Sequence, residues 1–177
     1  MRRFMIPLNE DRTIRWIGDA NEPNLRRVLD ELVKIENPRS KKSIHLIVSS
    51  CGGTVSQGFA FYDYVRHIKN IQMTSIGLGE INSIGVIIFF AGIKRLITPS
   101  TTFLFHETLQ PYGKEDVPLS KLRYDLLSVE AIDRRYTEIV AQATKKPDNE
   151  VAGWSKEGRN FTAEEAVRAG IAHKIIR

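Results

Sequence analysis

Apolar residues recur along the chain with two alternating periods, one typical of strands and one typical of amphipathic helices. Runs rich in β-branched residues, such as residues 43–49 (SIHLIVS), predict buried strands. Apolar residues three and four positions apart, such as Val55, Phe59 and Tyr62, predict helices between the strands. The alternation predicts an α/β fold. The predicted strands are residues 13–17, 43–49, 71–78, 95–98, 102–105 and 171–176.

Several helices have distinct sequence boundaries or surfaces. Residues 83–91 (SIGVIIFFA) are apolar on all sides, which predicts a helix buried on every face. A first helix is expected to end at Asn37-Pro38, and a long helix is expected over residues 119–143. The sequence Thr162-Ala163-Glu164-Glu165 is a capping-box pattern that opens a short helix ending near Gly170. Residues 107–118 are expected to form a loop.

Composition is typical of a globular protein. The chain has 177 residues, of which 42% are hydrophobic and 27% charged, so residues 1–177 are expected to form a single domain. The longest apolar stretch, residues 84–93, is far shorter than the roughly 20 residues that a membrane-spanning helix needs. No part of the chain is therefore expected to bind or span a membrane. Residues 1–12 lack the apolar centre of a signal peptide, which predicts a cytoplasmic location.

The distribution of charge and the cysteine content argue against a nucleic-acid-binding protein and against a fold held by disulfides or a structural metal. The net charge of +5 comes from scattered basic residues, with short clusters only at residues 2–3 and 39–42. This distribution predicts a solvated surface and no nucleic-acid partner. Cys51 is the single cysteine, so no disulfide within the chain and no structural metal site are expected.

Three separated segments together predict serine acyl transfer. A strand ends at Gly52-Gly53, Ser83 stands at the entrance of the buried helix, and His106 ends a strand. An imidazole can activate a serine hydroxyl, and a helix N-terminus favours a developing oxyanion. The backbone N–H groups of Ile84 and Gly53 are candidate oxyanion donors. Taken singly, the glycine pair also fits an ordinary turn and the serine an ordinary helix cap.

Four motifs in order carry a family resemblance: SCGG, GLGEINSIGVIIFFAG, FLFHETLQP and NFTAEEAVRAGIAHKI. From about Thr13 to the C-terminus the chain resembles the proteolytic subunit of the Clp protease family. The resemblance implies an α/β crotonase-like spiral of ββα units with a long handle-type helix. It also implies that Ser83 is the nucleophile, His106 is the base, and Gly53 with Ile84 forms the oxyanion hole.

The resemblance further implies an assembly. Members of the family form stacked heptameric rings around a proteolytic chamber, so a homo-oligomer of this kind is expected here. An AAA+ unfoldase is a possible partner, and the implied substrates are unfolded polypeptides or peptides. No cofactor is expected.

The chain departs from the family pattern at the third member of the catalytic triad. The family's aspartate position is occupied by Arg159, whose guanidinium cannot accept a hydrogen bond and is expected to point away from His106. Asn160 is the favoured orienting residue, with Glu157 or a backbone carbonyl of the same loop as alternatives. Cys51 stands where the family has proline before the glycine pair.

Two alternative functions stay open from the sequence. Loss of the aspartate is compatible with a weakened peptidase, because serine and histidine with an oxyanion hole retain some catalysis when the third triad member is lost. It is also compatible with an inactive subunit that contributes to a mixed ring without cutting peptides. A crotonase-fold acyl-CoA enzyme would also use two backbone N–H donors to polarise a thioester. The joint presence of Ser83 and His106 favours the serine endopeptidase.

Overall fold

A largely parallel β-sheet forms the centre of the fold. The structure, a computed structural model, describes residues 8–35, 43–69, 71–113 and 116–176. In this part of the chain the strand order is β1-β2-β3-β4-β7, with β5 beside the far end of β3 and β6 antiparallel to β5. The strands are β1 (Thr13–Ile17), β2 (Ile44–Ser50), β3 (Met73–Asn82), β4 (Lys94–Ile97), β5 (Thr102–Leu104), β6 (Asn160–Phe161) and β7 (Lys174–Ile175).

The helices connect and cover these strands. They are α1 (Glu22–Ile35), α2 (Val55–Asp63), α3 (Ile84–Phe90), α4 (Leu119–Thr144), α5 (Asp148–Lys156) and α6 (Ala163–Arg168). A π-helical turn, Tyr64–Ile68, extends α2, and a short 3₁₀ turn, Glu10–Arg12, precedes β1. The mixed α/β fold with a parallel sheet that the sequence predicts is therefore confirmed.

The buried helix and the capping box are also confirmed. Every residue of α3 is buried, between the sheet and helices α2 and α4. The close approach of α2 to α3 depends on Gly58, because a Cβ at this position would lie 2.3 Å from Cγ1 of Ile84. Thr162 and Glu165 form the reciprocal hydrogen bonds of a capping box at the start of α6.

Some element boundaries differ from the sequence prediction. Strand β3 continues to Asn82, because Glu80, Ile81 and Asn82 pair with β5 after the pairing with β4 has ended at Gly77. Helix α5 and the two-residue strand β6 were not predicted. Only Val151 and Trp154 of α5 are buried, which leaves its apolar pattern sparse, and β6 is too short to display a period. The closing strand is only Lys174–Ile175. The predicted helix stop at Asn37-Pro38 and the basic clusters at residues 2–3 and 39–42 lie outside the described residues.

No helix in the described ranges combines the length and the apolar character needed to cross a membrane. Within the same ranges, no group of three or more His, Cys, Asp or Glu side chains could hold a metal ion.

Candidate active site

The glycine turn after β2 is held against the segment that follows β1. Gly52 and Gly53 have φ values of 111° and 131°, which L side chains rarely adopt. The carbonyl of Gly52 accepts a hydrogen bond from the Ala20 N–H at 2.6 Å, and the Thr54 N–H donates to the Ala20 carbonyl at 2.7 Å. A Cβ at Gly53 would lie 2.6 Å from that carbonyl oxygen. Both glycines are therefore required by backbone conformation and by space.

Ser83 lies in a strained backbone conformation between β3 and α3. Its φ is 54° and its ψ is −131°; of the described non-glycine residues, only Ser83 and Lys145 have positive φ. The surroundings hold this conformation: the Ser83 N–H donates to the Leu104 carbonyl at 2.9 Å, and the Tyr136 hydroxyl donates to the Ser83 carbonyl at 3.3 Å. Such strain is concentrated at functional sites, which supports a chemical role for this serine.

The glycine turn contacts the serine directly. A Cβ at Gly52 would lie 2.8 Å from the Ser83 Cβ and 3.3 Å from its Oγ. Ile84 is the first residue of α3, so its N–H has no acceptor within the helix. Among the described residues, no backbone carbonyl accepts a hydrogen bond from the Gly53 N–H. Two backbone donors are thus available near Ser83, as an oxyanion hole requires.

His106 follows β5 on the partly exposed side of the sheet. Phe103 and Phe105 are fully buried, and the alternation of side chains along an extended strand directs His106 to the opposite face. Its Nδ1 lies 2.6 Å from the carbonyl oxygen of Glu107. Since a carbonyl oxygen only accepts hydrogen bonds, the ring proton of neutral His106 lies on Nδ1. Nε2 is then left as the proton acceptor.

These elements border one cavity of about 230 Å³, whose lining includes Ser83, Ile84, His106 and Gly53. The sequence-predicted nucleophile, base and oxyanion donors are therefore neighbours in the structure. Thr108, Asp133 and Tyr136 also line this cavity. Sequence reasoning missed these three residues, and no pattern separates them from ordinary loop and helix positions.

The residues predicted to orient His106, Asn160 and Glu157, do not line the cavity that holds His106. Asn160 pairs with Leu104 in the sheet and is exposed, and it does not line the 230 Å³ cavity. Glu157 caps the end of α5 and is likewise absent from the cavity lining. The Arg159 guanidinium lies 4.5 Å from the centre of the Phe161 ring. Its backbone carbonyl accepts a hydrogen bond from Phe105 at 2.9 Å.

Asp133 of α4 fastens the loop that follows His106. Its Oδ1 accepts hydrogen bonds from the Thr108 N–H at 3.1 Å and from the Thr108 hydroxyl at 2.6 Å. Tyr136, one turn further along α4, is buried, and burial together with the charge of Asp133 raises the pKa of its phenol. The neutral phenol therefore remains a hydrogen-bond donor to the Ser83 carbonyl. A second cavity of about 370 Å³, lined mostly by polar residues of α4 and α5, shares Asp133 with the first.

Cys51 also borders the 230 Å³ cavity, but its thiol is held in the protonated form. The Cys51 thiol donates to the Asp19 carboxylate at 3.0 Å, and this hydrogen bond is the main cause that raises the Cys51 pKa. A thiol is a much weaker nucleophile than a thiolate. The hydrogen bond to Asp19 therefore lowers the reactivity of Cys51.

A sequence model of the Clp protease family matches residues 2–177. The chain belongs to the Clp protease family. It is 31% identical over 171 residues to "ATP-dependent Clp protease proteolytic subunit 1" of Leifsonia xyli subsp. xyli (strain CTCB07), a match that covers 95% of this chain and 84% of the relative. It is 28% identical over 171 residues to "ATP-dependent Clp protease proteolytic subunit 3" of Rhodococcus jostii (strain RHA1), with coverage of 96% and 83%.

Solved structures agree on the fold. A mutant of ClpP1 from Listeria monocytogenes superposes with a TM-score of 0.82 at 24% sequence identity, covering 95% of this chain and 92% of that one. The predicted family and fold are therefore confirmed, and the chain is a Clp-type serine peptidase subunit.

Proposed function

We propose that this chain hydrolyses peptide bonds by acyl transfer to Ser83, with His106 as general base and the N–H groups of Gly53 and Ile84 as the oxyanion hole. The observation that carries the proposal is the strained Ser83 at the N-terminus of α3, in the same cavity as a histidine whose Nδ1 is engaged by a carbonyl. Residues 1–177 are proposed to form one peptidase domain, because the family model matches almost all of them.

In the first half-reaction, the Ser83 Oγ attacks the carbonyl carbon of the substrate peptide while its proton passes to the His106 Nε2. The oxyanion of the tetrahedral intermediate accepts hydrogen bonds from Gly53 and Ile84. When the C–N bond breaks, Nε2 returns the proton to the leaving amine and an ester remains on Ser83. In the second half-reaction, water attacks the ester, Nε2 takes the water's proton, and Ser83 recovers it as the carboxylic acid leaves.

Labelling with a fluorophosphonate probe tests the nucleophile. We expect wild type to be labelled at Ser83, as located by mass spectrometry, and Ser83→Ala to lose the label while retaining its thermal midpoint. Ser56→Ala, which alters an exposed serine at the start of α2, is the matched control and should be labelled like wild type. Labelling of Ser83→Ala at the wild-type rate would remove Ser83 from the mechanism. A folded wild type that is neither labelled nor active on a small peptide would support the inactive-subunit alternative.

The proposed assembly is a homo-oligomer of stacked heptameric rings. Support comes from the first half of α4, where several large apolar side chains are exposed, more than a helix facing only water carries. They are Leu119 (64% exposed), Leu122 (39%), Tyr124 (71%), Leu126 (58%) and Leu127 (66%). A second copy of the same helix is the natural cover for such a surface in a symmetric assembly. A monomeric mass by light scattering at micromolar concentration would contradict this proposal.

The proposed substrates are unfolded polypeptides or peptides, and the proposed partner is an AAA+ unfoldase. Both relatives are named ATP-dependent, and an AAA+ ATPase subunit that feeds the peptidase would supply that dependence. Degradation of a folded reporter only when an unfoldase and ATP are added would support the partnership. A cytoplasmic location stays a prediction that cell fractionation can test.

A further inference from the structure

We propose that Asp133 supports His106 through the peptide group that joins Glu107 to Thr108. The carbonyl of this group lies 2.6 Å from the His106 Nδ1, and its N–H donates to the Asp133 Oδ1 at 3.1 Å. One peptide group therefore links the histidine to a carboxylate. The inference rests on the proposed function, and it makes Asp133 a positioning residue, since it acts on His106 through another group.

The geometry of a trans peptide suits this connection. Its C=O and N–H point in opposite directions, so the group can meet an imidazole on one side and a carboxylate on the other. The Thr108 hydroxyl donates a second hydrogen bond to the same Asp133 oxygen at 2.6 Å. Two donors on one residue fix both the position and the rotation of the Glu107–Thr108 peptide group.

Electrostatics give the connection a chemical effect. A carboxylate at the N–H end of a peptide group polarises it and makes its carbonyl oxygen a stronger acceptor. The Glu107 carbonyl then stabilises the imidazolium that His106 becomes when it takes the Ser83 proton. In most serine proteases a carboxylate in direct contact with the histidine has this effect. Here the resemblance puts Arg159 at the family's aspartate position, and its guanidinium lies over the Phe161 ring. Among the described residues the His106 ring is hydrogen-bonded to the Glu107 carbonyl and to no carboxylate.

Helix α4 is well placed to hold both reacting residues. Asp133 binds the loop after His106, and Tyr136, on the next turn, donates to the Ser83 carbonyl at 3.3 Å. Residues three apart on a helix lie on the same face. The distance between nucleophile and base is therefore set partly by a single rigid element.

The test measures kcat and KM on a small fluorogenic peptide, with thermal midpoints, in the full assembled protein. Asp133→Asn keeps an acceptor oxygen but removes the charge, and we expect kcat to fall roughly tenfold with KM nearly unchanged. Asp133→Ala removes both and should lower kcat by about a hundredfold. This loss is smaller than the roughly 10⁴-fold fall in kcat when a serine protease loses an aspartate that contacts its histidine directly. Glu130→Gln, an equal change of charge one turn earlier on α4, is the matched control and should stay within about twofold of wild type.

Thr108 variants test the link from Asp133 through the Glu107–Thr108 peptide group to His106. Thr108→Val loses the hydroxyl donor and should lower kcat by roughly threefold to tenfold, whereas Thr108→Ser keeps both donors and should restore most of the rate. If one connection links the residues, Asp133→Ala combined with Thr108→Val should lose little more than Asp133→Ala alone.

The outcomes separate this inference from the proposed function. Labelling that persists in Ser83→Ala, or a wild type that does not react at all, would refute the proposed function and the inference with it. Loss of labelling in Ser83→Ala together with wild-type kcat in both Asp133 variants would refute the inference alone. The inference would also be refuted if kcat fell in the Asp133 variants only at temperatures where they are partly unfolded, as their thermal midpoints would show. A loss of rate in Asn160→Ala but not in Asp133→Ala would assign the orienting role to Asn160.

Discussion

Replacement of Gly52 by alanine tests the contact between the glycine turn and the nucleophile. The new methyl carbon would lie 2.8 Å from the Ser83 Cβ and 3.3 Å from both the Ser83 Oγ and the Asn82 carbonyl oxygen. The φ of 111° adds backbone strain, because L residues rarely adopt it. Strain of this kind costs about 1–3 kcal/mol. Overpacking costs a similar amount, about 1–3 kcal/mol.

These two costs set the expected size of the effect. Together they amount to about 2–6 kcal/mol, and the central value of about 4 kcal/mol lowers the thermal midpoint of a domain of this size by roughly 8–16 °C. Relief of the clash requires Ser83 to move by roughly 0.6 Å, and a displacement approaching 1 Å can cost about a hundredfold in rate. We therefore expect the rate of fluorophosphonate labelling at Ser83 to fall by at least about tenfold at a temperature where Gly52→Ala is folded.

Gly158→Ala separates strain from the clash. Gly158 also has a positive φ, 61°, but a Cβ there would meet nothing within 4 Å. We expect it to cost about 1 kcal/mol of stability and to leave labelling unchanged. If folded Gly52→Ala were labelled at the wild-type rate, the turn could not be in the close contact with Ser83 on which the reasoning depends.

Three further changes address the stability of the fold. Thr162→Ala removes the cap of α6 and should lower the free energy of unfolding by about 1 kcal/mol in a urea titration. The Thr162 backbone N–H lowers the pKa of the Glu165 carboxyl below its usual value. Ionised Glu165 therefore stabilises the fold at neutral pH, and this contribution is lost as the pH falls through the lowered pKa. Glu165→Gln lacks this contribution, so its thermal midpoint should fall less than that of wild type as the pH is lowered. Arg95 is buried and donates to the carbonyls of Ala143, Gly170 and Ile171. Arg95→Met leaves these carbonyls without their donor and should lower the free energy of unfolding by about 3 kcal/mol or more in a urea titration. A variant as stable as wild type would contradict this.

The sequence by itself determined the fold class and indicated the candidate chemical residues, because the signals of both are local. Gly52-Gly53 ends a strand, Ser83 precedes a helix that is apolar on every side, and His106 ends another strand. Each feature needs only a few neighbouring residues to be recognised. The capping box at Thr162 is local in the same way, and the structure has it as predicted.

Only the tertiary structure decided what surrounds His106. Asp133 and Thr108 are 25 residues apart, and they meet because α4 packs beside the loop after β5. In sequence, Asp133 is one polar residue among many on a long amphipathic helix, and nothing local distinguishes it from a solvated position. The end of β3 is equally nonlocal, since Asn82 is a strand residue only through its pairing with Leu104. Hydrogen bonds between distant segments depend on how the elements pack, and a local sequence pattern does not encode that arrangement.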